Sequence, residues 1–330
     1  VWVLSNPDGT DLSPPAWTQV FPSGGPPSER GLHSAVYDPT TNRMMVFGGL
    51  GPNVCSTIKN DVWVLENANA LDSPAWTQLN PTPDPVNGSP GARFAHSAVY
   101  DPTNNRMIVF GGQEDTPQGK SNEVWVLEHA NGLGGTPTWT LLNTTGGPGP
   151  RALHTAVYDS AANRMIVWGC GQACAPVDPP DGVWVLEHAN GLGGTPTWTL
   201  LNTTGGPPSA RDMHTAVFNP SNNRMTIFAG RNNLPDLKTL NDVWVLTDAN
   251  GIAVITVAID IKPGSDPNSI NPRSRGVIPV AILTTDSFDA TTVDETTVLF
   301  GATGTEAAPV HAALEDVDLD GDTDLILHFN

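Results

Sequence analysis

The sequence predicts an all-β fold, in which a tandem array of four-stranded antiparallel units fills residues 1–250 and a smaller β domain fills residues 251–330. Glycine and proline contribute 33 and 31 of the 330 residues, a content typical of many short strands joined by tight turns. Four short sequence patterns also recur in one order, and successive copies of each lie 58 to 63 residues apart. Such a fixed period indicates a repeat architecture with units of about 60 residues.

Each unit begins with a short strand of the form His-(Ser/Thr)-Ala-Val-(Tyr/Phe). Its copies start at His33, His96, His154 and His214. A turn rich in Asp, Pro and Asn follows, as at residues 101–105, and leads to a continuously apolar second strand that starts with Asn-Arg-Met. The second strand ends in Gly-Gly at residues 48–49 and 111–112, but in Gly-Cys at 169–170 and in Ala-Gly at 229–230.

The third and fourth strands of each unit carry the tryptophans. In the string Val-Trp-Val-Leu at residues 124–127, the two valines face one side of the sheet while the tryptophan and leucine face the other. The fourth strand contains Trp-Thr, as at Trp139. One such sheet cannot bury both of its faces alone, so we expect the units to stack radially, with the tryptophans in the core between them.

These units resemble kelch repeats. The resemblance rests on Arg-x-x-His, on the apolar strand ending in Gly-Gly, and on the Asp-Val-Trp-Val and Trp-Thr strings, and it covers residues 1–250. It implies a kelch-like β-propeller with the histidine strand innermost and the Trp-Thr strand outermost. A partial blade at residues 1–21 supplies only a third and a fourth strand. The repeats that follow start near residues 30, 93, 151 and 211.

The last repeat supplies only its first three strands, and its completion is open. Residues 17–21 could complete it and close a four-bladed ring. Further blades could instead lie upstream of Val1, which we interpret as a processed or truncated end. A neighbouring subunit could also complete it and so produce polymers, since unpaired strand edges invite partner strands. Residues 252–261 could take the place of the fourth strand.

The composition changes at residues 250–251, where the tryptophans cease and acidic residues become concentrated. Four strand-like runs then predict a small Ig-like β-sandwich. They span residues 252–261, 277–284, 297–300 and 325–329. The strings at 259–266 and 276–283 resemble a C-terminal module common in secreted bacterial proteins. The resemblance implies a bacterial protein that is secreted, extracellular or held at the cell surface.

An acidic loop in this second domain predicts a calcium site. Its carboxylates belong to Asp316, Asp318, Asp320, Asp322 and Asp324. Alternate oxygen ligands around Gly321 match a loop that wraps a hard cation, although Leu327 stands where a bidentate glutamate is usual. A further ligand would then come from elsewhere or from water. The alternative is a solvated acidic turn. A bound calcium would be structural, because it would pin a loop between strands.

Charge and cysteine usage limit the function further. The net charge is −19, which disfavours nucleic-acid binding, and no apolar run reaches the 18 residues of a membrane span.

Cys170 and Cys174 lie close enough in sequence for a local disulfide bridge. Cys55 pairing with one of them, or three unpaired thiols, are the alternatives. A zinc site would need more ligands than this cluster offers.

The Arg-x-x-His pairs are the first candidates for a functional site. They could ring a central channel and bind an anionic or sugar ligand, but residues repeated in every blade are expected to serve the architecture. A specific site should break the repeat, and the loops between the second and third strands differ most among the blades. The predicted ligand-binding face therefore comprises Glu114, Asp115, Arg231, Asn232 and Asp236.

The sequence favours a binding protein over an enzyme, since these loops contain no recognisable triad or metal cluster. We expect a secreted, non-catalytic binding, adhesion or structural protein whose partner is a protein or glycan at the cell surface. Self-association through blade edges or through the C-terminal module would fit the open register. The alternative is a carbohydrate-binding lectin or a carbohydrate-active enzyme that uses the same loop face.

Overall fold

The structure, a computed structural model, divides the chain into two compact units, Val1–Ile252 and Ala253–Asn330. The residues it describes are 1–8, 14–52, 57–70, 72–115, 119–169, 179, 182–232, 237–252, 257–263, 277–285, 288–300 and 307–330. Within these ranges the helical segments are short 3-10 turns, and none has the length and apolar character that a bilayer crossing requires.

The first unit consists of antiparallel sheets that follow one another along the chain, which we call blades 1 to 4. A hairpin of β1 (Trp2–Ser5) and β2 (Ala16–Gln19) precedes them. Blade 1 contains β3 (Ser34–Asp38), β4 (Arg43–Leu50), β5 (Ile58–Glu66) and β6 (Ala75–Leu79). Blade 2 contains β7 (Arg93–Phe94), β8 (Ser97–Asp101), β9 (Arg106–Phe110), β10 (Gln113–Glu114), β11 (Val124–Glu128) and β12 (Thr138–Leu141).

Blades 3 and 4 repeat this plan. Blade 3 contains β13 (Thr155–Asp159), β14 (Arg164–Trp168), β15 (Val183–Glu187) and β16 (Thr197–Leu200). Blade 4 contains β17 (Arg211–Asp212), β18 (Thr215–Asn219), a 3-10 turn (Pro220–Asn222), β19 (Arg224–Asn232) and β20 (Thr239–Thr247). The main sheets of blades 1 to 3 are antiparallel meanders of four strands, which confirms the predicted all-β fold.

The turn between the first two strands of a blade is closed by side chains. In blade 2 the Asp101 carboxylate accepts a hydrogen bond from the backbone N–H of Thr103 at 3.0 Å. Asn105 adopts φ 51°, a left-handed conformation that asparagine tolerates, and the Tyr100 hydroxyl donates to its side-chain oxygen at 3.1 Å. The Asp-Pro-x-Asn-Asn composition therefore encodes the turn directly.

The blades pack through the two faces that the alternation predicts. Val124 and Val126 enter the core between blades 2 and 3, whereas Trp125 and Leu127 enter the core between blades 1 and 2. Successive first strands contact one another, in the pairs β3–β8, β8–β13 and β13–β18. The His-containing strand is thus the innermost, as the kelch resemblance implies.

The two ends of the array depart from the predicted tryptophan core. Trp139 is 2% exposed and Trp198 is 6% exposed, but Trp2 and Trp17 of the hairpin are 59% and 65% exposed. The prediction of a buried core is therefore wrong for the hairpin, because within the described residues no sheet covers its tryptophan face. In blade 4 the residues that correspond to buried valines and a buried aromatic side chain are likewise exposed. They are Val217, Phe228, Val243 and Val245.

The second unit contains one antiparallel sheet in the order β21-β22-β24-β23. Its strands are β21 (Ala258–Ile261), β22 (Ile278–Leu283), β23 (His311–Glu315) and β24 (Asp324–Phe329), and its 3-10 turns are Ala290–Thr292 and Glu295–Thr297. The predicted strand at 297–300 is wrong, and the strand at His311 was not predicted. The described residues supply one sheet, so the Ig-like sandwich is not found among them. Since β21 pairs with β22, residues 258–261 do not complete blade 4.

Candidate functional site

The arginines of the Arg-x-x-His pairs hold the inner loops in place. Arg93 is buried, and its guanidinium donates to the carbonyl oxygens of Gly91 and Gly111, each at 3.0 Å. Its Nη2 also lies 2.5 Å from Glu114 and 2.9 Å from Glu123. Arg30 and Arg211 make equivalent ion pairs and carbonyl contacts in blades 1 and 4. These contacts favour the architectural interpretation over a ligand-binding ring.

The histidines of the same pairs link neighbouring blades. His96 Nε2 lies 2.7 Å from the Ser34 hydroxyl of blade 1, and His154 Nε2 lies 2.8 Å from the Ser97 hydroxyl of blade 2. Burial, reinforced by the charge of Arg93, lowers the pKa of His96 to about 3. Burial also lowers the pKa of His214 to about 4. Each ring is therefore neutral at physiological pH and forms a hydrogen bond between neighbouring blades.

The inner ends of the blades form a continuous backbone rim. The N–H of Ala95 donates to the carbonyl of Leu32, that of Leu153 to Ala95, and that of Met213 to Leu153, over 2.8 to 3.1 Å. These four residues all have positive φ, between 54° and 61°, so the same strained turn repeats in every blade. The rim fixes the spacing of the loops that carry the candidate face.

A cavity of about 290 Å³ opens beside this rim, and we call it the rim cavity. Its apolar wall is formed by Phe94, Ala95, Ala152 and Leu153. Its polar wall is formed by Gln113, Lys120, Asp212 and Arg231. The lining comes from three different blades, so it is created by the stacking of the repeats and is absent from any single one.

The charged groups of the rim cavity interact across it. Arg231 makes a two-point ion pair with the buried Asp212, with N–O distances of 3.1 and 2.9 Å. Burial lowers the pKa of Lys120, and the nearby charge of Asp212 opposes that shift. The lining as a whole has two cationic side chains, Lys120 and Arg231, and one carboxylate, Asp212. A group that carries a carboxylate is therefore the ligand chemistry that the cavity favours.

Of the residues predicted to form the ligand-binding face, only Arg231 is among the described residues that line the rim cavity. Arg231 lines the cavity, and Asn232 follows it at the end of β19. Glu114 turns towards Arg93, where burial raises the pKa of its carboxyl in spite of the ion pair, and Asp115 beside it is exposed. Asp236 lies outside the described residues.

The predicted ligand-binding face omits Lys120, although this residue lies in the loop at residues 113–122 between the second and third strands of blade 2. Sequence reasoning missed Asp212, which occupies a variable position of the Arg-x-x-His pattern in blade 4. That the two residues line one cavity depends on how blades 2 and 4 are placed. The predicted disulfide between Cys170 and Cys174, and the alternative involving Cys55, fall outside the described residues.

The acidic loop of the second unit brings its carboxylates together. Oxygens of Asp316, Asp318 and Asp324 lie within 4.8 Å of one another, and so do those of Asp318, Asp320 and Asp322. Gly321 adopts φ 99°, which gives the sharp turn that a cation loop needs. The buried Oδ1 of Asp322 has no hydrogen-bond partner, and burial together with the neighbouring carboxylate of Asp320 raises its pKa to about 6.

Asp324, the most buried of these aspartates, also holds the acidic loop in place through hydrogen bonds. Asp324 accepts hydrogen bonds from the backbone N–H groups of Thr284 at 2.8 Å and Val317 at 3.0 Å, so it ties the loop to the end of β22. Carboxylate oxygens are the type of ligand that calcium prefers, so this cluster is a candidate cation site.

The chain matches the family model described as "KLHDC2/KLHL20/DRC7 Kelch-repeats domain" over residues 53–247. Host cell factor 2 from Homo sapiens is 30% identical over 231 residues, which cover 65% of this chain and 26% of that protein. Kelch domain-containing protein 3 from Rattus norvegicus is 30% identical over 222 residues, covering 65% and 51% respectively. The Rab9 effector protein with kelch motifs from Xenopus laevis is 28% identical over 207 residues, covering 60% and 49%.

Among solved structures, that of YjhT superposes with a TM-score of 0.48 and 16% identity, over 68% of this chain and 64% of the other. The chain spans about half the length or less of these curated relatives.

Proposed function

The chain belongs to the kelch-repeat family, and from that premise we propose that it is a non-catalytic protein-binding module whose rim cavity receives a segment of a partner protein. Kelch-repeat relatives generally mediate protein binding, and one relative is by its name a Rab9 effector. Within the described residues the repeated arginines and histidines are engaged in holding the blades together, which supports an architectural role for them. The observation that carries the proposal is the convergence of three blades on one concave, charged surface.

The chemistry of the partner segment follows from the lining. An apolar wall next to Lys120 and Arg231 suits a short peptide that has one apolar side chain beside an acidic one. We propose that such a peptide is bound in preference to basic peptides, since two cationic side chains, Lys120 and Arg231, and a single carboxylate, Asp212, line the cavity.

A displayed library of random peptides, selected against the purified chain, tests the proposal. We expect acidic-apolar sequences to be enriched, and Lys120→Glu to weaken their binding at least about tenfold, because attraction becomes repulsion. Arg224→Glu is the matched control. Arg224 is exposed, and it lies at the opposite end of β19 from Arg231, away from the rim cavity. The proposal fails if no peptides are enriched, or if Lys120→Glu binds them as tightly as the control does.

The setting of this binding is a further part of the proposal. We propose a secreted or cell-surface protein of a bacterium with an adhesive or structural role, supported by the resemblance of residues 259–266 and 276–283 to a module of secreted proteins. A glycan partner would indicate the lectin or carbohydrate-active alternative. A glycan array distinguishes the two classes, and we expect it to show no binding.

We also propose that the acidic loop binds a structural calcium ion. The support is the group of carboxylates within 4.8 Å and the buried, unpartnered oxygen of Asp322. An ion would neutralise carboxylates that otherwise repel one another, and it would stabilise the link between the loop and β22.

Self-association is the last component of the proposal. The hairpin and blade 4 expose tryptophan, phenylalanine and valine side chains whose counterparts in blades 2 and 3 are buried. Apolar sheet faces and unpaired edges of this kind favour association with a further strand or sheet.

A further inference from the structure

One pair of residues beside each repeated arginine differs in chemistry from blade to blade, and we call it the rim pair. Its first member follows the arginine of Arg-x-x-His, and its second member directly follows the Gly-Gly position of the second strand. The arginine and histidine repeat in every blade, so the rim pair is a position where one blade can differ in function. The described rim pairs are Gly31–Leu50 in blade 1, Phe94–Gln113 in blade 2 and Asp212–Arg231 in blade 4.

Of the described rim pairs, that of blade 4 alone is charged. One carboxylate oxygen of Asp212 accepts a hydrogen bond from Arg231 Nε at 3.1 Å, and the other accepts from Nη2 at 2.9 Å. This is the side-on arrangement, in which two parallel hydrogen bonds fix the plane of the guanidinium. Asp212 is 1% exposed, and a buried carboxylate is costly unless it is paired. The pair therefore holds Arg231 in one orientation.

The ion pair leaves the far end of the guanidinium available. An arginine side chain has five N–H donors, one on Nε and two on each terminal nitrogen. Asp212 engages the Nε donor and one donor of Nη2, and the other three donors have no acceptor within the described part of the chain. One donor of Nη1 and the remaining donor of Nη2 form a parallel fork, which matches the two oxygens of a carboxylate.

The available end of Arg231 belongs to the rim cavity. Arg231 lines the cavity, and its side chain is 30% exposed whereas that of Asp212 is 1% exposed. Phe94 and Leu153 form part of the apolar wall of the same cavity. A ligand that carries a carboxylate on a short apolar stem can therefore place the stem against this wall and its oxygens on the fork.

Two explanations of carboxylate binding at this site make opposite predictions for Asp212. If the cavity attracts a carboxylate only through its net charge, Asp212 opposes binding, because its own negative charge repels the ligand. If an oriented fork holds the carboxylate, Asp212 favours binding, because without it the arginine must lose rotamer freedom when the ligand binds. A neutral side chain of the same shape at position 212 distinguishes the two explanations.

We propose that Arg231 binds a ligand carboxylate end-on through Nη1 and Nη2, and that Asp212 is the positioning residue that orients it. The observation that carries the inference is that both oxygens of a buried carboxylate are committed to one guanidinium, whose opposite end is available. The inference rests on the proposed function and names the residues that select the acidic side chain. A lysine ammonium does not provide such a fork.

Titration with propionate, which has the structure of the glutamate side chain, tests the inference. Propionate is added to the purified chain at constant ionic strength, and the proton–nitrogen NMR signals are followed. The Nε–H signal of Arg231, identified by its absence from Arg231→Lys, reports on the fork, and the amide signal of Leu153 gives the affinity in every variant. We expect binding in the millimolar range. Propionamide, which has the same stem without the charge, should leave both signals unchanged.

Two substitutions separate orientation from charge. Asp212→Asn should weaken propionate binding at least about threefold, although the cavity has lost a negative charge, because Arg231 is no longer held by an ion pair. Arg231→Lys should weaken it at least about tenfold, although the positive charge remains, because the fork is gone. Arg224→Lys, at the opposite end of β19, is the matched control and should bind propionate like the wild-type chain.

Hydrogen exchange provides a second measurement in case Asp212→Asn does not fold. In the wild-type chain the Nε–H of Arg231 should exchange with solvent at least about tenfold more slowly than that of the exposed Arg224, because Asp212 accepts its hydrogen bond. Equal exchange rates would show that Asp212 does not hold the guanidinium, and the inference would be wrong.

Each other outcome also decides the question. Tighter binding of propionate by Asp212→Asn would show that charge alone attracts the ligand, and unchanged binding by Arg231→Lys would show that no fork is used. A wild-type chain that does not respond to propionate would overturn the inference as a whole. The titration needs no peptide, so a chain that binds propionate as expected but enriches no peptides supports the inference while the proposed function fails. Enriched peptides that bind Asp212→Asn more tightly would leave the proposed function standing and overturn the inference.

Discussion

At the scale of single residues, the first glycine of each Gly-Gly pair allows the backbone of the following blade to approach closely. A Cβ atom at Gly48 would lie 2.7 Å from the carbonyl oxygen of Arg93, and one at Gly111 would lie 2.8 Å from that of Arg151. Blade 4 carries Ala229 at this position, with φ 59°. The alanine therefore places a Cβ atom where the glycines of the preceding blades leave room for the carbonyl oxygen of the next arginine.

The buried histidines make stability depend on pH. Burial holds the pKa of His96 near 3 and that of His214 near 4, and it lowers that of His154 as well, whereas a histidine in the unfolded chain has a pKa of about 6.5. As the pH falls below about 6.5, these histidines bind protons in the unfolded state but remain neutral in the folded state. The unfolding free energy should then decrease with falling pH, by up to about 1.4 kcal/mol per pH unit for each histidine.

Urea unfolding of the wild-type chain between pH 7 and pH 5 measures this slope. His96→Gln should reduce it, since one of the three proton-excluding sites is gone, while Gln retains a group that can hydrogen-bond to Ser34. An unfolding free energy that stays constant over this interval would show that the folded blades accept protonated histidine.

At the scale of elements, the alternation of side chains predicted the blade strands correctly. Local composition, in contrast, wrongly predicted a strand at residues 297–300. The segment before this run contains two copies of Asp-x-Thr-Thr, starting at Asp289 and Asp294. Each aspartate accepts a hydrogen bond from the N–H two residues later, at 2.9 and 3.0 Å, and begins a 3-10 turn. Short polar side chains that bond to their own backbone compete with strand formation, so β-branched residues alone were a poor guide.

The acidic loop gives the element-scale prediction. Excess calcium should raise the melting temperature of the C-terminal transition, and a chelator should lower it, because the ion binds the folded loop and not the unfolded chain. Asp322→Asn should abolish the calcium-dependent shift, whereas Asp294→Asn, outside the cluster, should preserve it. Differential scanning calorimetry with and without chelator measures both. Identical melting curves would show that the loop is a solvated acidic turn.

At the scale of the whole molecule, the hairpin and blade 4 expose apolar side chains, among them Trp17, Phe228 and Val243. These exposed faces are the surfaces on which the proposed self-association rests.

The net charge of −19 gives the proposed self-association a salt dependence. Copies of an acidic chain repel one another, and the proposed contact is mainly apolar, so screening should strengthen association. Sedimentation velocity at about 0.1 M and about 1 M NaCl, where the Debye length falls from about 10 Å to 3 Å, should show larger species at high salt. Smaller species at high salt would indicate that ion pairs hold the copies together instead.

The sequence by itself determined the blades. A period of about 60 residues, side chains alternating along each third strand and an Asp-Pro-x-Asn-Asn turn are local properties, and local backbone preferences act on them directly. The tertiary structure decided where the repeat stops being buried and where charges meet. Trp17 and Trp139 stand in the same pattern but differ in exposure from 65% to 2%, and Lys120 approaches Asp212 from another blade. Burial and electrostatic contact depend on which sheet lies opposite, and that is a property of the packed molecule.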